Sequence, residues 1–479
     1  MTSSRAPAAM LTMGSDESVP WRRLHPASLL VNLIPTAWRT LQRVWPLLLA
    51  MVFSKSITGL VDLILVASFF ALAAVRTVLH FATLRYRFAH GRLEIQQGLI
   101  SRVEQALDPA RIQNVSLEQN VFHRMAGLVE LRIEMAGAGS APVDGMLSAL
   151  SIPEAEALRK ALGRTGAAVD AQAADVDVID AVGLLEVVGY GVSAGRVGAA
   201  VVAIGLFLDV ANQVSPGALP VQNLGRHSWA GLMLVALAGG YTLSAGGAIL
   251  RFYRFRWWQS GGDFHFESGL LTRRRMDIPI RKLQLVQITE PIVRRAMGFA
   301  TMLFETAAAA VPEAGGSAEA LVPMVAREDV VSRVRAAFPR LDTPIDGDLL
   351  PCAPRAVGRA VLRGVLGWLG PAAGAAFWFG TPWAWLLLGL GGGMGMLDAR
   401  RQGWRVTERF IVVRRGFLSR DTWVLPREKV QSVHWVQGPI ARAAGLARLV
   451  VWFPGGRLPL PEIGEVEARA LFASLRPTG

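Results

Sequence analysis

The residues that most often carry enzyme chemistry form few patterns in this sequence. Gly191-Val192-Ser193-Ala194-Gly195 matches the G-x-S-x-G pattern of a nucleophile elbow, and Gly189 begins an overlapping, degenerate dinucleotide-binding fingerprint. A nucleophile elbow needs a strand before it, a helix after it, and then an acid and a histidine. Here the small residues lead into an apolar segment, where Gly, Ala and Ser favour helix packing. We interpret Ser193 as structural, and a membrane-bound hydrolase is an alternative that rests on this residue alone.

Motifs for metals and cofactors do not occur in the sequence. It contains no H-E-x-x-H, P-loop or C-x-x-C motif, and its single cysteine, Cys352, excludes an internal disulfide and a cysteine-based metal cluster. The seven histidines, which show no ligand spacing, are His25, His80, His90, His123, His227, His265 and His434. We predict no catalytic, metal-binding or cofactor-binding residue and no cofactor, and we expect a non-enzymatic protein.

Two clusters of basic residues suggest an interaction site. Their members are Arg273, Arg274, Arg275, Arg281, Lys282, Arg414, Arg415, Arg420, Arg427 and Lys429. Near an anionic cytoplasmic leaflet, each such charge contributes about 1 kcal/mol of attraction. We therefore predict that these residues interact with anionic lipid or with a partner. The alternative is that they set membrane topology and lie on solvated strand faces.

The composition agrees with a membrane protein. Of 479 residues, 52% are hydrophobic and 18% are charged, so the chain is more apolar and less charged than a typical soluble protein. Lys and Arg outnumber Asp and Glu by 50 to 37, a formal net charge of +13. This composition excludes intrinsic disorder and a basic nucleic-acid-binding tail, and we expect no nucleic-acid partner.

Three apolar regions predict membrane helices, at about residues 41–80, 197–250 and 360–397. The strongest span is the run of 23 uncharged residues at 228–250, which is long enough to cross a hydrocarbon core of about 30 Å. The charge-free run 364–397 is broken by Gly380-Thr381-Pro382 into two antiparallel spans. Dividing the other two regions in the same way predicts six spans in three hairpins, of which the first helix in each hairpin is the weaker.

The positions of the basic residues predict the topology. Arginines flank the outer ends of all three predicted hairpins, whereas the loops within the hairpins hold only Lys55, Arg226 and His227. Basic residues near span ends mark the cytoplasmic side. We therefore expect a multi-pass membrane protein with both termini and all large segments in the cytoplasm. Asp62 and Asp209 fall within predicted spans, and we place them near an interface rather than in an ion relay.

The soluble segments contain a threefold repeat. Three copies align without a gap on Gly98, Gly269 and Gly416, each opening with glycine, two apolar residues, Ser or Thr, and Arg. Thirteen residues after each glycine come a basic residue, an aliphatic residue and glutamine: Arg111-Ile112-Gln113, Lys282-Leu283-Gln284 and Lys429-Val430-Gln431. Each copy ends on an arginine and a glycine, namely Arg124 and Gly127, Arg295 and Gly298, and Arg442 and Gly445. Each copy also follows a predicted membrane exit, so the duplicated unit is a hairpin plus a soluble module.

Within a copy, the pattern is that of β-strands closed by a helix. The alternating or apolar runs that predict strands are Leu93 to Gln97, Asp263 to Glu267, Phe410 to Val413, Leu128 to Ile133, Phe299 to Phe304 and Leu446 to Phe453. The opening and closing glycines fit turns with positive φ. The predicted closing helices are Pro153 to Arg164, Arg327 to Phe338 and Glu462 to Leu475; the last starts near Pro461 and has Val466, Ala470, Leu471 and Leu475 on one face. A small antiparallel barrel or sandwich plugged by one helix would bury these faces.

These motifs resemble the bacterial pleckstrin-homology domain of the second type. Three such units after an N-terminal RRLHPASLL stretch are similar to the YdbT-like family of bacterial membrane proteins, over about residues 20–479. The resemblance implies a seven-stranded PH-like fold capped by a C-terminal helix, in a family whose biochemical role is poorly defined. The first copy departs from the pattern, because Asp108 stands where the others have Pro279 and Pro426.

Together these features predict an α+β membrane protein. The predicted segments are a tail (1–24), an amphipathic helix and hairpin (25–84), module 1 (85–165), an acidic linker (166–192), hairpin 2 (193–250), module 2 (251–340), a linker (341–358), hairpin 3 (359–399) and module 3 (400–479). Module 2 carries a net charge of +5 and residues 403–479 carry +6, whereas module 1 carries +1. We expect a scaffold that interacts with anionic lipid, a protein partner or a second copy of itself. A transporter built from the six helices, including Gly391-x-x-x-Gly395, is the alternative.

Overall fold

The structure is a computed structural model. It describes residues 20–41 apart from 30, 32–35 and 38–39, then 60–98, 102–135, 145–162, 178–193 and 226–475 apart from 261, 308–319, 346 and 348. The chain forms two compact units. The first holds the described residues up to Ala181 and those from Arg226 to Ile278, and the second holds Val182–Ser193 and the described residues from Pro279 onward.

Module 1 and its preceding helix lie in the first unit. In chain order they comprise β1 (Arg22–Arg23), α1 (Leu60–Thr83), β2 (Arg85–Ala89), β3 (Arg92–Gln97), β4 (Val103–Leu107), β5 (Ile112–Gln119), α2 (Val121–Met125), β6 (Leu128–Met135), β7 (Gly145–Ser151) and α3 (Ile152–Ala161). Strands β1 to β4 form one antiparallel sheet. Side chains of both halves of the module share one core, in which Leu93, Ile112, Leu131, Ile133 and Leu147 are fully buried. Burial of each such side chain stabilises the fold by roughly 1.5–3 kcal/mol.

Module 2 is preceded by β8 (Val178–Ala181), α4 (Leu184–Ser193) and α5 (Arg226–Phe252). Its own elements are β9 (Arg256–Ser260), β10 (Asp263–Ser268), β11 (Arg273–Pro279), β12 (Leu283–Pro291), α6 (Ile292–Ala296), β13 (Phe299–Thr306), β14 (Ala320–Ala326) and α7 (Val330–Ala337). The strands up to β11 belong to the first unit, and those from β12 belong to the second.

Hairpin 3 and module 3 complete the second unit. Their elements are β15 (Leu350–Pro351), α8 (Pro354–Phe379), α9 (Leu386–Arg401), β16 (Gly403–Val406), β17 (Phe410–Arg415), β18 (Ser419–Pro426), β19 (Ser432–Val436), α10 (Pro439–Ala443), β20 (Leu446–Phe453), β21 (Gly456–Pro459), β22 (Ile463–Gly464) and α11 (Glu465–Leu475). The predicted strands at the start and end of each copy are confirmed, and the α+β class with them.

The opening glycines of the repeat adopt positive φ, as predicted. The φ angles of Gly98, Gly269 and Gly416 are 101°, 113° and 92°. A Cβ atom at Gly269 would lie 1.9 Å from the carbonyl oxygen of Thr272, and one at Gly416 would lie 1.8 Å from that of Ser419. Glycine is the one residue without a Cβ, so only glycine fits this turn.

The three copies also share the turn that follows the opening strands. Each forms a short 3-10 turn, at Pro109–Arg111, Ile280–Lys282 and Arg427–Lys429. Asp108 has the same extended backbone as Pro279 and Pro426, and its side chain accepts a hydrogen bond from the Ala110 N–H at 2.9 Å. The aspartate therefore replaces the proline without changing the turn.

Neighbouring modules are joined through continuous sheets. In the first unit a seven-stranded sheet runs β7-β6-β5-β11-β10-β9-β8, so β5 of module 1 pairs with β11 of module 2. In the second unit the order is β14-β13-β12-β18-β17-β16-β15, so β12 of module 2 pairs with β18 of module 3. We call these pairs the β5–β11 seam and the β12–β18 seam. Strand edges that a single module would leave open are therefore covered by the adjacent module.

The C-terminal helix differs from its prediction. Ile463 and Gly464 pair with β20, so the helix starts at Glu465 rather than near Pro461. Its buried residues are Ala468 and Leu475, whereas Val466 is 85% exposed. The predicted apolar face is therefore wrong at Val466 and Ala470, which are both exposed.

Hairpin 3 is described in full. Its helices α8 and α9 are separated at Gly380 and Thr381, as predicted, and Gly380 adopts a φ of 61°. A Cβ atom at Gly391 would lie 2.6 Å from the Gly364 oxygen, and one at Gly395 would lie 2.3 Å from the Ala360 oxygen. These glycines thus allow the two antiparallel helix backbones to touch.

The described helices bear on part of the predicted membrane topology. Among the described helices, the segment Pro354–Phe377 of α8 is long and apolar enough to cross a membrane. Helices α1 and α5 occupy the positions predicted for the second helices of hairpins 1 and 2. The predicted first helices of these hairpins, and Asp209, lie outside the described residues. The total of six spans remains a prediction.

Candidate functional site

The predicted basic residues separate into two groups by their position along the strands. Helix α9 ends at Arg401, and Gly403 of the next strand lies opposite Arg414. The end of β17 and the start of β18 therefore lie beside the helical hairpin, and we call this the hairpin-side end. Because strands rise by about 3.3 Å per residue, Lys429 lies roughly 20 Å beyond it.

Three predicted residues, Arg414, Arg415 and Arg420, lie at the hairpin-side end in the second unit. The Arg414 guanidinium donates to the carbonyl oxygen of Ile345 at 2.5 Å. Burial lowers the pKa of Arg415. Arg420 bonds to Glu290 across the β12–β18 seam.

In the first unit, Arg273, Arg274 and Arg275 also lie beside a helix end. The N–H of Leu270, a few residues before them, donates to the Leu250 oxygen of α5 at 3.0 Å. Arg273 and Arg275 both pair with Glu267, which is buried and also bonds to Arg256 at 2.7 Å.

These pairings give the arginine run a structural role. Burial favours the neutral form of Glu267, but Arg275, Arg256 and Arg273 outweigh it and hold the pKa of this carboxyl below its ordinary value. Arg274 pairs with Glu118 across the β5–β11 seam at 3.3 Å. The arginines therefore compensate buried or seam carboxylates, a structural role that the sequence reasoning missed.

A buried ionic cluster lies next to this seam. Asp277 of β11 accepts from Arg159 of α3 at 2.8 Å and lies 2.6 Å from Nδ1 of His265, and all three residues are buried. An Asp–His pair is also part of hydrolase triads, but Nε2 of His265 is buried and has no hydrogen-bond partner among the described residues. The cluster is thus closed to a substrate and acts as a support for the seam. The signal in the sequence was an aspartate within an otherwise apolar end of β11.

A second arginine cluster surrounds Glu462 at the hairpin-side end of module 3. Arg448 and Arg359 approach this buried carboxylate at 2.7 and 3.1 Å, and Arg363 approaches it at 3.7 Å. Burial lowers the pKa of Arg448; Glu462 opposes this effect, and the nearby arginines, including Arg415, add to it. Sequence reasoning assigned Arg359 and Arg363 to topology only and did not identify Glu462.

The predicted residues Arg281 and Lys429 meet at the far end of the strands. They line a cleft of about 420 Å³ together with Arg340 and Arg409. Phe338 and Phe410 supply apolar walls, and Glu408 and Glu428 supply negative charge. Lys429 donates to the Arg281 carbonyl oxygen at 3.2 Å. The cleft suits an anionic or amphipathic ligand, but it lies away from the hairpin.

The remaining predicted residues, Lys282 and Arg427, do not line the cleft. Lys282 follows Arg281 in the same 3-10 turn. The Arg427 guanidinium donates to the carbonyl oxygen of Ser474 in α11. This bond holds the turn against the C-terminal helix.

Ser193 has a structural environment. Its Oγ donates to the Tyr190 oxygen at 3.1 Å and accepts from Nε of buried Arg294 at 3.1 Å. The Arg294 guanidinium also lies 4.7 Å from the centre of the Tyr190 ring. An arginine cannot serve as the general base that a serine nucleophile needs. Residues 194 and 195 of the predicted elbow lie outside the described residues.

The fold and the repeats define a protein of PH-like modules linked to long apolar helices, and comparison with known proteins agrees. The family model for the bacterial PH domain matches residues 37–165, 196–337 and 361–477. The chain therefore belongs to the bacterial PH domain family. It is also similar to the UPF0699 transmembrane protein YdbT of Bacillus subtilis (strain 168), with 22% identity over 437 residues that cover 86% of this chain and 88% of the relative. No solved structure matches the chain.

Proposed function

We propose that the protein is a non-enzymatic scaffold of the bacterial inner membrane that contacts anionic lipid at the hairpin-side end of module 3. The observation that carries this proposal is the arginine cluster around Glu462. Arg359 and Arg363 lie in the first ten residues of α8, the described helix best suited to cross a membrane. Their guanidinium groups therefore lie at the depth of lipid headgroups.

The local electrostatics favour an added anion. Four arginines, at positions 359, 363, 415 and 448, are close to the carboxylates of Glu462 and Asp398, so positive charge is in excess. Arg363 is about half exposed. A lipid phosphate beside it would reduce the repulsion between the guanidinium groups, with about 1 kcal/mol of attraction per charge.

The proposed topology places all three modules and both termini in the cytoplasm. The similarity to a transmembrane relative and the arginines at the outer ends of α8 and α9 support this orientation. Reporter fusions at Gly479 and within the 341–358 linker test it, and an external signal from either would contradict it.

Lipid-dependent stabilisation of the full-length protein tests the proposed site. In detergent, phosphatidylglycerol is expected to raise the melting temperature of the wild type more than phosphatidylcholine does, and 0.5 M salt is expected to reduce the difference. The double variant Arg359→Gln and Arg363→Gln should lose most of this difference.

A charge-matched variant serves as the control. Arg281→Gln with Lys429→Gln removes the same two charges from the cleft at the far end of the strands, and we expect it to keep the phosphatidylglycerol effect. Equal stabilisation by both lipids, or loss of the effect in the cleft variant alone, would contradict the proposed site.

A transporter built from the hairpins is the competing proposal. In the described hairpin 3, the charged residues lie within the first ten residues of α8 and the last four of α9. The helices meet through Gly364, Gly391 and Gly395, with their backbones in contact. Substrate pathways usually contain central polar residues, so this hairpin favours the scaffold.

A further inference from the structure

Strands β4 and β19 each lie at the end of a sheet and have an open edge. Strand β4 of module 1 pairs with β3, and β19 of module 3 pairs with β20. In the part of the chain that the structure describes, neither has a strand on its other side. Val103, Glu104, Gln105 and Ala106 of β4 are all exposed, whereas the first six residues of β5, which lies within a seam, are buried.

The repeat identifies β4 and β19 as the missing halves of a third seam. Strands β4, β11 and β18 each follow the opening glycine of their copy, and β5, β12 and β19 each follow the 3-10 turn. Within the chain, β11 pairs with β5, and β18 pairs with β12. One strand of each kind is left over, β4 in the first unit and β19 in the second.

Both existing seams use the same register. Arg274 is five residues after its opening glycine and faces Glu118, which is twenty residues after Gly98. Asp421, five residues after Gly416, faces Thr289, which is twenty residues after Gly269.

Applied to the open strands, this register places Val103 opposite Val436 and Leu107 opposite Ser432. All five residues of β4 then face all five residues of β19.

The side chains at the open edges match each other. Val103 and Val436 are 43% and 49% exposed, and the register would bury them against each other. The equivalent pair is Arg274 with Glu118 in one seam and Asp421 with Thr289 in the other. The third pair is thus apolar and differs from both, which disfavours pairing of an open strand with the wrong edge.

Both open strands also lie beside the ends of hairpin helices. The N–H of Gly98, just before β4, donates to the Thr83 hydroxyl at the end of α1 at 3.2 Å. After β19, the Ala444 oxygen accepts from Arg355 of α8 at 3.3 Å. Two copies embedded in one membrane would therefore present these edges at a similar height.

We propose that β4 of one copy pairs with β19 of a second copy, in the register of the internal seams. The interface is heterologous, since each copy contributes a different surface, and it generates a ring or an open chain of copies in the membrane plane. Main-chain hydrogen bonds provide the attraction, and the valine pair provides the specificity.

Cysteine cross-linking of the full-length protein in its native membrane tests the register. In a Cys352→Ala background, one tagged chain carries Ala106→Cys and a differently tagged chain carries Val433→Cys. These positions would face each other with Cα atoms about 4.5–5.5 Å apart, within the range for a disulfide. Mild oxidation of the co-expressed chains is expected to give mixed dimers, with neither chain giving homodimers alone.

Three results would overturn the proposal. They are no mixed dimer, homodimers from either chain alone, or equal cross-linking of Ala106→Cys with His434→Cys, whose side chains the register places on opposite faces. When both cysteines are on one chain, a ladder of multimers supports pairing between copies. A single fast-migrating band would instead show that the two edges pair within one chain, which would contradict the proposal.

A charge exchange separates loss of pairing from loss of folding. Val103→Arg or Val436→Glu alone is expected to reduce co-purification of two tagged copies at least tenfold, because each places an unpaired charge opposite an apolar side chain. When a Val103→Arg chain is mixed with a Val436→Glu chain, the introduced arginine and glutamate face each other in the same way as Arg274 and Glu118. The two chains should then associate again. Failure of the mixture to associate, with both proteins folded, would refute the proposed contact.

Discussion

The β5–β11 seam and the β12–β18 seam have the same backbone register but different side-chain chemistry. In the first, Asp277 lies in a buried cluster with Arg159 and His265. At the equivalent position of the second seam stands Val424, which is fully buried. The seam geometry therefore does not require one kind of side chain, and the repeated turn and strand lengths are sufficient to set it.

The two seams also differ in how the charge of a buried acidic side chain is compensated. Glu267, beside the first seam, is buried against three arginines that lower its pKa. Asp421, in the second, hydrogen-bonds to the neutral side chains of Thr289 and Gln287, and burial raises its pKa despite these bonds. The first arrangement favours a charged carboxylate and the second disfavours it, so acidity should affect the two seams in opposite directions.

The largest expected difference follows removal of the Asp277 charge. Asp277→Asn leaves the Arg159 guanidinium buried without its full charge partner, which should cost about 3–5 kcal/mol of local stability. Hydrogen exchange of the β5 and β11 amides measures the loss as faster exchange. Asp421→Asn is the matched control in the second seam, where the partners are neutral, and it should change exchange of β12 and β18 little.

A double variant sharpens this prediction. The double variant Asp277→Val with Arg159→Met replaces the buried ion pair by apolar side chains, as the second seam has Val424 at the position of Asp277. Such a replacement often leaves the free energy of unfolding unchanged. We expect it to restore much of the protection lost in Asp277→Asn. If the single variant exchanges like the wild type, the cluster does not stabilise the seam.

The opening turns should respond equally in the two seams. Gly269→Ala and Gly416→Ala each place a Cβ within 2 Å of a carbonyl oxygen at positive φ. Each should cost roughly 1–3 kcal/mol, because the turn must distort. Exchange in β11 and β18 measures the effect, with Gly127→Ala as a control that also has positive φ but no neighbouring atom within 4 Å. Clearly unequal losses would show that the turns are not equivalent.

The smallest effect is the response to pH. The pKa of Asp421 is raised above its ordinary value of 3.8, so the second seam gains stability from this group as the pH falls through the raised value. The pKa of Glu267 is lowered below 4.5, so its stabilising contribution is fully present above 4.5 and is lost as the pH falls from there through the lowered value. Melting temperatures of the wild type, Asp421→Asn and Glu267→Gln at a series of pH values measure both contributions. If the difference in melting temperature between the wild type and Asp421→Asn does not change with pH, the prediction for Asp421 is wrong.

Most local features were predictable from the sequence because they depend on short-range constraints. The glycines at positions 98, 269 and 416 indicated turns that exclude a Cβ atom, and alternating apolar residues indicated β6, β13 and β20. The break between α8 and α9 followed from Gly380 and Pro382. Where the prediction failed, as at Val466, a two-residue strand pairing with β20 had displaced the helix start.

The candidate site was less predictable, because charge clusters in sequence do not reveal their partners. Arg273 and Arg275 were predicted to interact with anionic lipid or a partner, and the sequence did not show that both pair with Glu267. The cluster around Glu462 joins residues from α8, β20 and the segment before α11, which no motif connects. Its members could be recognised only after the hairpin and module 3 were placed together in one unit.

The sequence by itself determined the repeated unit, its turns, the order of strands and helices, and the family. These properties are encoded in residues that are neighbours along the chain, where periodicity and glycine positions act directly. Only the tertiary structure decided which strand edges meet and which charges compensate one another. Arg159 and Asp277 are 118 residues apart in the sequence but form one buried ion pair, because a strand edge and a buried charge are satisfied by whatever group folding brings next to them.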